Sequence, residues 1–130
     1  MNAKFRTFLT KTINFLVFVT VIGTPLFYIK QSVFPYTLPK TAFFQGVVEI
    51  IFFLWLALIL IDKRYRPKKN IVLIGLLVFI SALAVTALLG EDPFRSFWST
   101  QSRALGVITI FHFVALATVL FSLVREINWK

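Results

Sequence analysis

Residues 42 to 61 read AFFQGVVEIIFFLWLALILI, and residues 62 to 70 continue DKRYRPKKN. Twenty residues with a single charge, ended by a short run rich in Lys and Arg, have the dimensions of a membrane crossing. At about 1.5 Å per helical residue they cover the roughly 30 Å hydrocarbon layer of a bilayer. The pattern recurs outward in both directions, at Ile13 to Ile29, Ile71 to Gly90 and Ala104 to Val124. With Ala42 to Ile61 these runs predict an all-α, polytopic membrane protein in which four transmembrane helices form a single module over residues 1–130.

Composition agrees. A hydrophobic content of 58%, a mean hydropathy of +0.86 and 16 Phe exceed what a soluble domain of this length can bury, so lipid is expected to complete the core. The net charge of +9 raises the question of nucleic acid. The basic residues, however, sit in caps and loops between apolar runs rather than along a basic face interleaved with stacking rings, so no nucleic acid is expected and anionic lipid headgroups are the natural partner. The chain has no Cys and a single His, which removes disulfides, thiolate nucleophiles and the usual multi-His metal centres; no metal or cofactor is expected. Nucleotide-binding loops, zinc-protease motifs and nucleophile elbows are also missing from the sequence.

Charge sets the orientation. Lys4, Arg6, Lys11, Lys63, Arg64, Arg66, Lys68, Lys69, Arg125 and Lys130 fall on one side, and Lys30, Lys40, Arg95 and Arg103 on the other. Because Lys and Arg are retained on the cytoplasmic side during insertion, this bias places both termini and the Asp62 to Asn70 loop in the cytoplasm. The first run is read as an uncleaved helix, since bulky Leu26, Phe27, Tyr28 and Ile29 stand where a signal peptide carries small residues. Pro25 marks the outer end of that helix, and Pro35 and Pro39 are expected to keep the Lys30 to Lys40 loop extended along the headgroups. Tyr28, Tyr65, Trp98 and Trp129 fall near helix ends, as interfacial rings do, whereas Trp55 lies mid-helix and is expected to pack or face lipid. Gly75, Ala82, Thr86 and Gly90 share one face of the third helix and make the expected packing stripe, although such residues are common in membrane helices whatever their role.

Polar chemistry inside the spans is sparse. Glu49 is the one acid within a helix, and Gln45 precedes it by one turn on the same face. A lone carboxylate in hydrocarbon costs on the order of 3 kcal/mol, so Glu49 needs a proton or a partner. It reads either as a proton or substrate site or as an interhelical hydrogen-bond anchor. His112 carries the same two readings. Counted from the outer helix ends the two lie at one depth, with Thr20 and Ser81 near the same level, which predicts a polar layer facing a common interhelical space.

The loop from Gly90 to Arg103, GEDPFRSFWSTQSR, is the most chemically equipped stretch. Arg95 and Arg103 have the planar donor forks that clamp phosphate or diphosphate, with Trp98 beside them. The plainer alternative is a solvated loop in which Glu91 and Asp92 neutralise both Arg.

The succession of Pro25, PKTAFFQGVVEIIFFLWLAL from Pro39, DKRYRPKKN from Asp62 and EDPFRSFWSTQSRALGVITIFH from Glu91 to His112 resembles the beginning of bacterial O-antigen ligase-family proteins and the related O-antigen polymerases. The resemblance covers about residues 13 to 130 and is sharpest at Asp92 to Trp98 followed by Arg103-x-x-Gly106. It implies a metal-independent C-type glycosyltransferase system in the bacterial inner membrane, acting at the outer face on glycans carried by undecaprenyl diphosphate. Family members have roughly ten to twelve helices and a large external loop with the principal catalytic Arg and His, which have no counterpart here. Gln45 also stands where a basic residue is expected. No catalytic residue is therefore carried over, and Arg95, Trp98 and Arg103 are implied only as accessory substrate contacts. The expected function is that of an amino-terminal membrane module, a fragment or a split piece that transfers no glycan alone and is completed by the remaining helices of a larger protein. The alternative is a small non-enzymatic four-helix protein, an oligomeric transporter using Glu49 or an assembly subunit; in small multidrug-resistance transporters the essential Glu belongs to the first helix, which here has none.

Overall fold

A computed structural model describes residues 3–32, 34, 36–67, 70–100 and 105–124. All of its regular structure is helical: α1 (Ala3–Leu26), α2 (Thr37–Ile61), α3 (Ile71–Leu89), the short α4 (Pro93–Trp98) and α5 (Val107–Val124), with a 3-10 turn at Lys63–Tyr65. By length and composition α1, α2 and α3 can each cross a membrane, and α5 is apolar but shorter. Only 17% of the most apolar stretch of α1, 28% of that of α2 and 17% of that of α3 is buried inside the bundle, so most of this apolar surface faces outward. Phe15, Phe18, Leu60, Val78 and Leu89 are among the large side chains left exposed. Such a surface suits lipid as solvent, and the fold is compatible with a helical membrane protein.

Boundaries differ from the sequence reading in physically traceable ways. α1 begins at Ala3 rather than Ile13, because the basic leader contains no breaker and its Thr10 and Thr12 hydroxyls donate back to Arg6 O and Phe8 O within the helix. It ends one residue after Pro25 rather than at Ile29. α2 begins at Thr37 rather than Ala42, with Pro39 buried in its first turn instead of holding a loop extended; the first N–H groups of a helix have no internal acceptor, so proline there costs no bond. α4 was not anticipated as a helix, although Asp92 followed by Pro93 is a start signal: the Asp92 carboxylate accepts from Arg95 N–H at 3.0 Å, and Pro93 takes the first helical position. α3 ends within one residue of its expected limit. The last span was expected from Ala104, which lies outside the described residues, as do Arg103, Lys68, Lys69, Arg125, Trp129 and Lys130; Leu105 and Gly106 are not helical, and α5 begins at Val107.

The helices form a row in which α1 packs on α2, α2 on α5, and α5 on α3. α2 and α5 run parallel, as their paired residues 45 with 109, 49 with 112 and 55 with 122 require. The core joins Leu9 and Ile13 of α1, Ile51, Trp55 and Leu58 of α2, and Val119 of α5 in the half of the bundle nearest Asp62. The small-residue stripe does not make the packing face of α3. Its buried residues are Leu73, Ile80 and Ala87, a seven-residue seam; Ala82, Thr86 and Gly90 are exposed, and nothing lies within 4 Å of a Cβ built at Gly75. With α5 as its long neighbour, α3 buries one narrow seam, and its larger side chains supply the contact.

Two ties close the Asp62 end. Trp55 Nε1–H donates to Ser122 Oγ at 3.1 Å, and Ser122 Oγ–H donates to the Tyr65 carbonyl, linking α2, α5 and the turn. Arg6 Nη1 donates to Asp62 Oδ2 at 2.8 Å, while Asp62 Oδ1 accepts from Arg64 N–H at 3.0 Å. The Arg64 backbone bond, then the Arg6 guanidinium, holds the Asp62 carboxyl below its ordinary value of 3.8. A lowered folded value means that the ionised form stabilises the fold above the ordinary value and that this contribution is lost as pH falls through the folded one. Asp62→Asn is therefore expected to melt below the wild type at neutral pH, with the two melting curves converging on acidification below 3.8; a constant gap would show that ionisation plays no part.

Candidate functional site

The chemistry predicted from sequence gathers at the opposite end, where α1 finishes and α2 and α5 begin. Two polar rungs join α2 to α5. Gln45 Nε2–H donates to Thr109 Oγ1 at 3.0 Å, and one turn further along His112 Nε2 lies 3.3 Å from Glu49 Oε1. The second rung brings together the two residues expected at one depth. The side chains differ in setting, however: His112 is 12% exposed, whereas Glu49 is 61% exposed and opens on the bundle surface instead of pointing inward. The other expected members of the layer part company. Thr20 is buried, donating to Leu16 O at 2.8 Å; Ser81 is exposed on α3 and donates to Leu77 O of its own helix at 2.7 Å.

A cleft of about 340 Å³ opens beside these rungs, walled by Val21 and Pro25 of α1, Lys40 and Phe44 of α2, and Phe113 and Leu116 of α5. The sequence reading missed it. Threonines also line it, but Thr20, Thr24 and Thr41 donate to carbonyls one turn back, at 2.8, 2.6 and 3.0 Å. Those hydroxyls are spent within their own helices, which leaves a largely apolar wall. Phe44 and Phe113, both lining the cleft, pack with ring centroids 4.4 Å apart. Lys40, in the first turn of α2, is the one basic side chain lining the cleft among the described residues. An isolated cation at the edge of an apolar run was the available sequence signal, but only the approach of three helices turns it into the rim of a groove.

A second cavity of about 210 Å³ is lined by Trp98 together with Leu38, Thr41, Gln45 and Thr109. Two sequence candidates from different groups, Trp98 of the connecting segment and Gln45 of the span, thus share one space. Thr41 and Thr109 border both cavities. Arg95 lies on α4 with an exposed side chain and makes no ion pair among the described residues; Asp92 is engaged as the cap of α4 rather than as its counterion. Arg103 is outside the described residues. Among the described residues no group of three or more His, Cys, Asp or Glu could hold a metal ion.

Chemically, this end offers an apolar groove with a cationic rim, an indole and a guanidinium nearby on α4, and an acid–imidazole pair between two helices. No protein family, curated protein or solved structure matches this chain.

Proposed function

We propose that the chain is the amino-terminal membrane module of an O-antigen ligase-like system in the bacterial inner membrane, with both termini in the cytoplasm. In this reading it holds an undecaprenyl-diphosphate-linked glycan at the outer face, and further helices complete the enzyme. The observation that supports it is the groove: apolar walls suited to a polyprenyl tail run up to Lys40, whose ammonium suits the diphosphate. Arg95 and Trp98 lie towards the same end and suit contacts to diphosphate and sugar, while no residue here takes a catalytic role. The Lys and Arg bias supplies the orientation, and the resemblance of Asp92 to Trp98 supplies the glycan class.

A second reading, a small non-enzymatic assembly or transport subunit, is favoured by one observation: the Glu49 carboxyl opens on the surface of the bundle, where another helix could meet it. Lipid binding separates the two. With the protein in nanodiscs, titration with undecaprenyl diphosphate followed by native mass spectrometry should show saturable binding. Lys40→Ala should weaken that binding about tenfold, the effect of losing one charge-assisted contact of roughly 1.5 kcal/mol. Equal binding by the two proteins, or none by either, would overturn the first reading.

A further inference from the structure

We infer that Glu49 and His112 form an intramembrane proton-binding site. The inference follows from which atoms can donate. His112 Nδ1 lies 2.7 Å from the Ile108 carbonyl oxygen. A carbonyl oxygen only accepts, so Nδ1 carries a hydrogen. In neutral imidazole the other nitrogen, Nε2, is then a bare acceptor. It faces Glu49 Oε1 at 3.3 Å, and an ionised carboxylate is also an acceptor only. The contact is therefore a hydrogen bond only when one further proton lies between them, either on the carboxyl and donated to Nε2, or on Nε2 and donated to the carboxylate. Both forms have zero net charge. Without that proton, two lone pairs oppose one another and the pair carries one negative charge among apolar helices.

Among the described residues no other ionisable side chain pairs with either group. α3 contains no ionisable side chain, and α5 has none but His112 among its described side chains. On α2 the other ionisable group is Lys40, nine residues and about 13 Å of helix away. The charges of α1, Lys4, Arg6 and Lys11, lie near its start, where Arg6 pairs with Asp62 at the far end of α2. Gln45, one turn before Glu49, is directed to Thr109. The pair is also asymmetric: the mostly enclosed imidazole holds its orientation through Ile108, while the carboxyl is 61% exposed on the surface of the bundle.

The site is independent of the glycan reading, and its test uses no glycan. Because the chain has one His, 15N-histidine labelling reports on this residue alone. In nanodiscs the neutral ring should be hydrogenated at Nδ1, and on titration the Nε2 resonance and the infrared carboxyl band of Glu49 should change together at one midpoint. Glu49→Gln should retain Nδ1–H but abolish the shared midpoint, since its amide supplies Nε2 with an N–H donor and no further proton is needed. Should that variant fail to insert, the shared midpoint of the wild-type imidazole and carboxyl bands decides by itself. A neutral ring hydrogenated at Nε2, separate midpoints, or identical titration of wild type and Glu49→Gln would overturn the site.

Discussion

Gly106→Ala is expected to destabilise the protein by about 1–3 kcal/mol and to loosen α4 from α5, because the added methyl has no room. A Cβ at this position falls on the Phe97 carbonyl oxygen, 2.7 Å from its carbon and 2.8 Å from the carbonyl carbon of Trp98. These are backbone atoms, so the conflict is not relieved by a rotamer change. Space, not backbone conformation, requires this glycine, since no glycine in the described chain has a positive φ. Ser99, which ends α4 at φ 65° with its N–H on Arg95 O at 2.7 Å, turns the chain back towards that close approach. Gly46→Ala and Gly75→Ala are matched controls, as nothing lies within 4 Å of either new methyl. Thermal unfolding in one detergent should show a lowered midpoint for Gly106→Ala and little change for the controls; three equal midpoints would remove the close approach from the fold.

Trp55→Ala should cost more, about 3–5 kcal/mol. The side chain is 4% exposed, packs within the core that holds Ile51 and Leu58, and lies 5.4 Å from Phe52 between ring centroids. Lipid tails do not refill an enclosed space between three helices, so the packing loss persists in a membrane. Trp55→Phe separates volume from hydrogen bonding: it keeps much of the ring but leaves Ser122 Oγ without the indole donor, a loss of about 1 kcal/mol. Reversible unfolding in mixed micelles should rank wild type, Trp55→Phe and Trp55→Ala in that order, and equal stability of the last two would show that the bond rather than the packing matters.

The apolar runs were legible because lipid imposes length and hydrophobicity directly on sequence. Ends were less so: the Lys4 to Thr12 leader is helical although polar, and Pro39 reads as a loop residue until its first-turn place is known. The Glu49–His112 rung was accessible by counting residues from helix ends, because α2 and α5 cross in the same direction. Counting says nothing of rotation about the helix axis, which is why Glu49 was expected inside and Ser81 beside it. The Gly75 to Gly90 stripe failed for a related reason: it identifies a face on which helices can approach closely, not the face that α5 meets. The cleft under Lys40 depends on three separated segments and left only an isolated cation in the sequence.

In the proposed orientation the α4 end of the bundle, with its groove, faces the outside of the cell while the Asp62 turn faces the cytoplasm. The chain has no Cys, so Arg66→Cys in that turn and Glu91→Cys before α4 each introduce a single thiol at an exposed position. A membrane-impermeant maleimide applied to intact spheroplasts tests the orientation directly. Labelling of Glu91→Cys without lysis, and of Arg66→Cys only after lysis, is the expected result; the reverse pattern would turn the groove towards the cytoplasm and contradict the proposed orientation.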